Sequence, residues 1–364
     1  MIKQPIHPSK IESQLVKILD DLQGTNKMRA CLFNLIIYAK NDGRKAYLEE
    51  VAQKVIEKFP SRIIMVISDE QNKGNYLNTS VSVLTAESGQ NQIFCDLITV
   101  EFSGSHEVRV PFVVLPHILP DLPVYILWGE DPQKKSPFWL QIESFVNRLI
   151  FDSESTDDLP AFAHSLLEYT GKCRCDIADL NWARIESWRK LLAANFHTQE
   201  KLLNLQKVSV IHIHYNSKKT ESFCHTKIQA LYLQAWLACQ LNWKFKESKR
   251  MEDQLSFIYQ KESSEVQIIL HPQEAAKIKP GRILSIEMDT EDETHYTFKR
   301  SQESPSHIFI ESSTPQSCEI PTHFIFDTEE SGQSLVKEIF HKGTNEHFVK
   351  VLKFIKQINE KVCE

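Results

Sequence analysis

The sequence has few glycines and no glycine-rich phosphate loop. Only 10 of its 364 residues are glycine, and neither GxGxxG nor GxxxxGK[ST] occurs. Both motifs need glycines because the backbone must come close to a phosphate group. The sequence therefore does not support a dinucleotide-binding or nucleoside-triphosphate-binding loop, whatever its pattern of strands and helices.

Long apolar runs and an excess of positive charge are also missing. No apolar stretch approaches the roughly 20 residues that span a bilayer, and Met1–Pro5 lacks the apolar segment of a signal peptide. A formal net charge of -6 gives no basic field for nucleic acid. We expect a cytoplasmic protein that binds neither membrane nor nucleic acid, and whose eight cysteines are reduced thiols.

Cysteine and histidine are present, but not at the spacing of a metal site. Cys173 and Cys175 are separated by one residue and have no second pair at zinc-ligand spacing. Exposed thiols beside Arg174 would favour a redox pair, whereas the simpler interpretation is two loop thiols. His212 and His214 alternate on one face of a strand, which fits a polar strand face better than a metal pair. We expect no metal and no cofactor.

The strongest fold signal lies between Val110 and Pro132. Two apolar runs, Phe112–Leu115 and Val124–Trp128, are separated by proline-rich turns. Continuous apolar runs bounded by Pro and Gly are typical of strands that are buried on both faces. We interpret Val124–Trp128 as a central strand of a parallel sheet, preceded by a helical turn. The loop after such a strand lies at its carboxyl end, where open α/β sheets bind ligands.

Strand and helix patterns alternate through the first half of the chain. Cys31–Ala39 and Arg62–Ser68 are apolar strands that flank the amphipathic helix Arg44–Phe59. This arrangement predicts a β-α-β unit with parallel strands. Two further helices are predicted, over Phe138–Leu149 and over Asp179–Phe196, because their apolar residues recur at helical spacing.

The pattern changes in the second half of the chain. Four or five short runs within Leu255–Phe326 alternate with polar breaks, as in an antiparallel meander. The basic run Lys244–Arg250 is interpreted as a cap at a helix C-terminus. The predicted fold class is α/β, with a parallel or mixed sheet flanked by helices over residues 1–200. A smaller α+β domain containing the meander is predicted over residues 207–364.

Five segments resemble, in order and spacing, the OpcA family of glucose-6-phosphate dehydrogenase assembly proteins. They are Arg29–Leu35, Pro60–Ile64, Leu115–Pro132, Arg148–Ser153 and Asp179–Leu192. The family implies a non-catalytic protein of the pentose phosphate pathway that binds glucose-6-phosphate dehydrogenase and promotes its active oligomer. It would act as an allosteric activator, since preferential binding of one assembly shifts the population towards it.

Aromatic, basic and acidic side chains within these segments are the candidates for partner contact, because interfaces are enriched in Trp and Arg. We predict that six residues form or support the surface that contacts the dehydrogenase: Asp121, Trp128, Asp131, Arg184, Trp188 and Arg189. The simpler interpretation is that the tryptophans of the last segment pack in the core.

A different class of function stays open from the residues alone. The crevice beyond Trp128 could belong to an enzyme that binds a sugar phosphate or a nucleotide. Arg62, Arg148 and Arg184 would then donate forked hydrogen bonds to a phosphate. Arginines that converge on one pocket would favour this alternative, and arginines on separate faces would exclude it.

Overall fold

The chain forms two compact units. The computed structural model describes residues 4–21, 27–72, 74–88, 91–134, 136–327, 332–341 and 343–358. Unit 1 comprises Met1–Ser155, Tyr169–Leu180 and Glu330–Thr344. Unit 2 comprises Thr156–Glu168, Asn181–Glu329 and Asn345–Glu364. Within the described ranges, no helix is long and apolar enough to cross a membrane. The domain boundary near residue 200 stays a prediction.

Unit 1 is built around a mixed sheet of nine described strands. They are β1 (Gln4–Pro5), β2 (Lys27–Arg29), β3 (Asn34–Lys40), β4 (Arg62–Ser68), β5 (Tyr76–Ser88), β6 (Asn91–Ser103), β7 (Val124–Trp128), β8 (Arg148–Phe151) and β9 (Asp176–Asp179). Their order is β1-β5-β6-β4-β3-β7-β8-β9, and β2 pairs with β6. The strands from β6 to β9 in this order run parallel. Strand β5 is antiparallel to both of its neighbours.

The central strands of unit 1 follow from their continuous apolar runs. All seven residues of β4 and the first six of β3 are buried, as is usual for parallel strands that are covered on both faces. Strand β7 pairs in parallel with both β3 and β8. The prediction of a central parallel strand at Val124–Trp128 is therefore confirmed.

The described α-helices vary from five to fifteen residues. They are α1 (Ile11–Asp21), α2 (Arg44–Lys58), α3 (Val110–Val114), α4 (Pro137–Ile142), α5 (Leu159–Lys172), α6 (Leu180–Arg184), α7 (Glu186–Asn195), α8 (Gln199–Gln206), α9 (Ile228–Gln240), α10 (Gln333–Phe340) and α11 (Glu346–Ile355). Short 3-10 helices cover Pro8–Lys10, Gly104–Arg109, Leu115–His117, Glu143–Phe145 and Ser153–Ser155. In unit 1, Leu48 and Val51 of α2 share a core cluster with Ile37 of β3.

Two predicted helices differ from the structure. The helix predicted over Phe138–Leu149 ends at Ile142, and its last residues form the start of β8. The apolar run there pairs in parallel with β7, so strand pairing prevails over helical spacing. The helix predicted over Asp179–Phe196 is interrupted, because Asp179 ends β9 and two helices, α6 and α7, follow it.

Unit 2 contains a second sheet, again with nine described strands. They are β10 (Val208–Asn216), β11 (Lys244–Met251), β12 (Gln254–Gln260), β13 (Glu265–Gln273), β14 (Ile283–Thr290), β15 (His295–Arg300), β16 (His307–Thr314), β17 (Ser317–Cys318) and β18 (Thr322–Ile325). Their order is β11-β12-β13-β10-β14-β15-β16-β17, and β18 pairs with β16.

The predicted antiparallel strands of Leu255–Phe326 are confirmed, with one addition. Strands β12 and β13 pair antiparallel, as do β14, β15 and β16. Strand β10 lies between these two groups and is parallel to β13. The helix cap predicted at Lys244–Arg250 is wrong: these residues form the edge strand β11. A charged edge strand is one way in which proteins avoid pairing with other chains.

Aromatic packing around α9 forms the interior of unit 2. The first eleven residues of α9 are all buried, which agrees with its apolar composition on every side. Tyr232 of this helix lies edge-on to Trp182, with ring centroids 6.4 Å apart. Phe348 of α11 packs on Trp182 at 5.5 Å. Trp182 is therefore a core residue, as the simpler interpretation of the sequence held.

Candidate functional site

The topology of unit 1 directs attention to the carboxyl ends of β3 and β7. The chain passes from β3 to β4 on one side, and β7 lies on the other side of β3. Connections that diverge in this way leave a crevice at the strand ends, which is where open α/β sheets bind ligands. Tyr38 and Trp128 stand at this position, paired across the two strands.

Aromatic side chains of the chain itself fill this crevice. The rings of Tyr38 and Trp128 stack with centroids 4.3 Å apart and planes within 7°. Phe138 of α4 stacks on Tyr38 at 5.5 Å, and Trp139 meets the edge of Trp128 at 5.9 Å. All four side chains are buried. These four side chains pack together near the ends of β3 and β7, and we call this region the filled crevice.

A buried ion pair lies beside this stack. Arg44 is the first residue of α2, at a helix N-terminus of the kind that receives phosphate groups in nucleotide-binding folds. Its Nη2 donates to Asp152 Oδ2 after β8. Asp152 is fully buried. A carboxylate of the chain thus meets the cation that would otherwise be available to an anionic ligand.

The carboxyl group of Glu130 lies in the loop that follows β7. It is 5% exposed, and this burial is the main cause that raises its pKa to about 7. Lys40 and Lys134 oppose this increase in pKa, whereas Glu70 adds to it. Glu130 is therefore a carboxyl group that exchanges a proton near neutral pH.

The three arginines of the enzyme alternative do not meet at the crevice. Arg62 and Arg148 are the first residues of β4 and β8, whereas Trp128 is the last residue of β7. Because these strands run parallel, both arginines lie at the amino-terminal ends of the strands, whereas the crevice lies at the carboxyl ends. Arg184 belongs to unit 2, where its Nη1 donates to Asn181 Oδ1 at 2.8 Å.

Arg62 is held by acids on other elements of unit 1. Its Nη2 and Nε donate to Asp96 Oδ2 at 2.7 and 2.9 Å. Its Nη1 donates to Glu12 Oε1 at 2.7 Å and to the carbonyl oxygen of His117 at 2.9 Å. The hydrogen bond between His117 and Glu12, followed by the Arg62 guanidinium, lowers the pKa of Glu12 to about 2 against the opposing effect of burial. The hydrogen bonds of Arg62 thus join β4 to other elements of unit 1 and stabilise the fold.

Arg148 is used in a similar way. Its Nη2 donates to Glu338 Oε2 of α10 at 2.6 Å, and its Nη1 donates to the carbonyl oxygen of Gly343 at 3.0 Å. Arg148 is 2% exposed. Its hydrogen bonds join the start of β8 to the segment around α10, and a phosphate beyond Trp128 is out of reach.

The predicted contact residues of unit 1 differ in exposure. Asp121 is exposed in the turn before β7, with a φ of 62°. Asp131 is half-buried after the same strand, and its Oδ1 accepts a hydrogen bond from Gln133 N at 2.9 Å. These two acids lie at opposite ends of β7. Trp128, the last residue of β7, is buried, so its side chain is not exposed for direct contact.

The predicted contact residues of unit 2 are mostly interior. Arg184 and Trp188 are buried, and Trp188 packs edge-on against Phe326 at 5.2 Å. Arg189 is half-buried, with its guanidinium carbon 3.4 Å from the centre of the Trp182 ring. Only Arg189 offers part of its side chain to solvent.

Sequence reasoning missed an apolar surface on unit 1. Val108, Phe112, Leu140 and Phe145 are 50%, 69%, 64% and 53% exposed. They belong to the 3-10 helix Gly104–Arg109, α3, α4 and the 3-10 helix Glu143–Phe145. The first three of these elements contact one another, and the last contacts α4. We call these four side chains the apolar surface. Its signal in the sequence was the Phe112–Leu115 run, which forms a short helix and so directs Phe112 outwards.

The histidine and cysteine pairs form no metal cluster in the part of the chain that the structure describes. His212 Nδ1 lies 2.8 Å from His271 Nε2 on the neighbouring strand β13. Burial raises the pKa of Cys175 to about 12 and raises that of Cys173. Both shifts disfavour the thiolate, the form that reacts in redox exchange.

Two family models match the chain over most of its length. One is described as the glucose-6-phosphate dehydrogenase subunit N-terminal domain and matches residues 52–167. The other is described as the C-terminal domain of the same subunit and matches residues 175–352. The N-terminal match includes Trp128 and Phe138 of the crevice, Arg62 with its partner Asp96, and the apolar surface, whereas Tyr38 and Arg44 precede its first residue.

Curated relatives from cyanobacteria carry the name OxPP cycle protein OpcA. The Synechocystis sp. protein is 27% identical over 195 residues, which are 53% of this chain and 39% of the relative. The Synechococcus elongatus protein is 28% identical over 161 residues, which are 44% of this chain and 34% of the relative. The matched part of the chain thus spans only about a third to two fifths of these relatives.

Solved structures show more distant similarity. A levoglucosan dehydrogenase in complex with NADH and L-sorbose aligns with 89% of both chains, at 10% identity and a TM-score of 0.45. The transcriptional regulator Gal80p aligns with 94% of this chain and 95% of its own, at 8% identity and a TM-score of 0.48. Likeness of this degree carries no argument about function. The two family matches and the named relatives show that this chain belongs to the OpcA family.

Proposed function

We propose that the chain is a non-catalytic factor of the oxidative pentose phosphate pathway. In this proposal it binds glucose-6-phosphate dehydrogenase and favours that enzyme's active oligomer. The descriptions of both family models name a subunit of this dehydrogenase, and the relatives are named for the OxPP cycle. These descriptions indicate which partner to propose. The apolar surface and the filled crevice of unit 1 give the physical reason to expect docking.

The observation that carries the proposal is the apolar surface. Its four side chains are each at least half exposed, on short elements whose other apolar residues, such as Val110 and Phe138, are buried. Clustered exposed apolar residues mark interaction sites on folded proteins. Phe112 and Phe145 are of the aromatic type that anchors interfaces.

The filled crevice supports docking over turnover. A catalytic site at the switch point would need an open space between the ends of β3 and β7. The stack of Tyr38 and Trp128 and the pair of Arg44 with Asp152 occupy that region. Side chains that serve packing and pairing at this position are those expected of a scaffold that presents a surface.

The mechanism needs only preferential affinity. A protein that binds one oligomer better than another shifts the population towards it, and a tenfold shift corresponds to ~1.4 kcal/mol. Asp121, Asp131 and Arg189 are the predicted contact residues with exposed atoms, so we assign them to direct contact. Trp128 is assigned to support of the loop before α4. Arg184 and Trp188 are assigned to support within unit 2.

The test combines sedimentation with enzyme rate. The full chain and purified dehydrogenase are expected to co-sediment, and added chain is expected to raise the dehydrogenase rate with saturation. Phe112→Asp places a charge in the apolar surface without altering the core, and should weaken both effects at least tenfold. Leu203→Asp is the matched control, because Leu203 is also half exposed but lies on α8 of unit 2.

Two results would contradict the proposal. One is the absence of a complex and of any rate change at micromolar concentrations of both proteins. The other is dehydrogenase-independent turnover by the chain alone. An equal loss of binding in Phe112→Asp and Leu203→Asp would reject the apolar surface as the contact site, while leaving the partner in place.

A further inference from the structure

A cavity in unit 2 has no part in the function proposed above. Its volume is about 780 Å³, within the range of roughly 300 to 1,000 Å³ found for small-molecule pockets. It is lined by Tyr215 and Ser217 at the end of β10, and by Pro272 and Glu274 at the end of β13. These two strands are parallel, so the cavity lies at their carboxyl ends, where ligands bind to parallel strands.

Three cationic side chains line this cavity from different elements. Lys219 comes from the loop after β10, Lys227 directly precedes α9, and Arg250 lies on β11. Lys219 and Arg250 are exposed and form no salt bridge within the described residues. Arginine and lysine are the side chains that bind phosphate groups, through paired hydrogen bonds and as a point charge respectively.

Carboxylates line the cavity in equal number. Asp253 lies in the turn between β11 and β12, and Glu274 follows β13. Both are exposed and lack a salt bridge among the described residues. The third, Asp157, is 3.3 Å from the His225 ring. An ionised carboxylate only accepts hydrogen bonds, so Asp253 and Glu274 suit a ligand that donates from hydroxyl groups.

The balance of charges and the arrangement of ring side chains indicate the ligand class. Three cations against three carboxylates suit one phosphate group better than a polyphosphate, because the acids repel additional negative charge. Leu255 and Pro272 are the apolar side chains of the lining, and Tyr215 is buried. The other ring of the lining, His225, is paired with Asp157 at 3.3 Å. Stacking surface for a nucleobase is therefore limited, whereas hydroxyl-rich ligands need none.

We propose that this cavity binds a phosphorylated sugar. The phosphate is placed at Arg250 and Lys219, and the sugar hydroxyls at Asp253 and Glu274. The proposal does not depend on docking to the dehydrogenase, since the cavity residues all belong to unit 2 and the apolar surface belongs to unit 1.

Isothermal titration calorimetry on the full chain tests the proposal, with ribose 5-phosphate and glucose 6-phosphate as probes. Either sugar phosphate is expected to bind at least tenfold more tightly than inorganic phosphate, and the free sugars are expected not to bind. Arg250→Ala should weaken binding at least tenfold, because a hydrogen-bonded charge on the phosphate is lost. Lys244→Ala is the matched control, since Lys244 is an exposed cation of the same strand that does not line the cavity.

A second variant separates the two halves of the proposed site. Glu274→Gln is expected to lower the affinity for the sugar phosphates while leaving the affinity for inorganic phosphate unchanged. Failure of both sugar phosphates to bind at millimolar concentration would overturn the proposal. So would unchanged affinity in Arg250→Ala, or tighter binding of adenosine monophosphate than of the sugar phosphates.

Discussion

The backbone of Gly129 lies directly against that of Tyr38. The Gly129 amide donates to the Tyr38 carbonyl oxygen at 2.8 Å, and a Cβ atom on Gly129 would also come within 2.8 Å of that oxygen. The contact extends the pairing of β3 and β7 one residue beyond the end of β7. It holds the loop that leads to α4 close to the stack of Trp128 on Tyr38.

We predict that Gly129→Ala destabilises the fold by about 2 kcal/mol, because backbone must move to admit a methyl group. Gly171→Ala is the matched control. Nothing lies within 4 Å of a Cβ atom at Gly171, which stands in α5, so alanine there should stabilise by roughly 0.5–1 kcal/mol. Urea denaturation of both variants measures the difference. Equal stability of the two variants would mean that the approach to Tyr38 is not limiting.

The pair of Arg148 and Glu338 gives a second prediction. Arg148→Met leaves the Glu338 carboxylate buried without its guanidinium, and the expected loss is about 3 kcal/mol. The double variant Arg148→Met with Glu338→Met leaves no unpaired buried charge, so most of that loss should be recovered. Unfolding in urea measures both. A double variant no more stable than the single one would show that the pair is not what holds α10.

The strands β3, β4 and β7 could be predicted because one physical cause dominates at each. Their middle residues are mostly buried on both faces, so these runs must be largely apolar and must end where Pro, Gly or polar residues begin. Strand β11 lacks this cause. It is an edge strand with mostly charged side chains, and its pairing with β12 is set by neighbours in space.

The candidate sites depended on contacts that sequence spacing does not encode. Arg62 and Arg148 are visible as cations, but their partners Glu12 and Glu338 lie 50 and 190 residues away. Only the fold shows that these arginines are engaged. The apolar surface was hidden for a related reason: Phe112 belongs to an apolar run, and the run's direction relative to the core is a tertiary property.

The low pKa of Glu12 predicts a loss of stability in acid. Its folded-state pKa of about 2 lies below the ordinary 4.5. Its contribution is therefore present above pH 4.5 and is lost as the pH falls towards 2. Because the side chain is 47% exposed, solvent screening reduces the contribution to about 1 kcal/mol. Glu12→Gln should be less stable than wild type by that amount at pH 7 and equal to it near pH 2. A deficit of the same size at both pH values would refute the linkage.

Glu130 predicts the opposite dependence on pH. Burial raises its pKa from 4.5 to about 7, so the folded chain holds this proton more tightly than the unfolded chain. Stability then falls as the pH rises from 4.5 to 7 and stays constant above that. Glu130→Gln carries no charge at any pH. It should match wild type near pH 4 and be more stable at pH 8, by a free energy of unfolding on the order of 2–3 kcal/mol. Urea denaturation at both pH values measures this difference. If the variant gained nothing at pH 8, the wild-type carboxyl would have to be ionised at little cost in its buried position, and the loop before α4 would have no proton linkage.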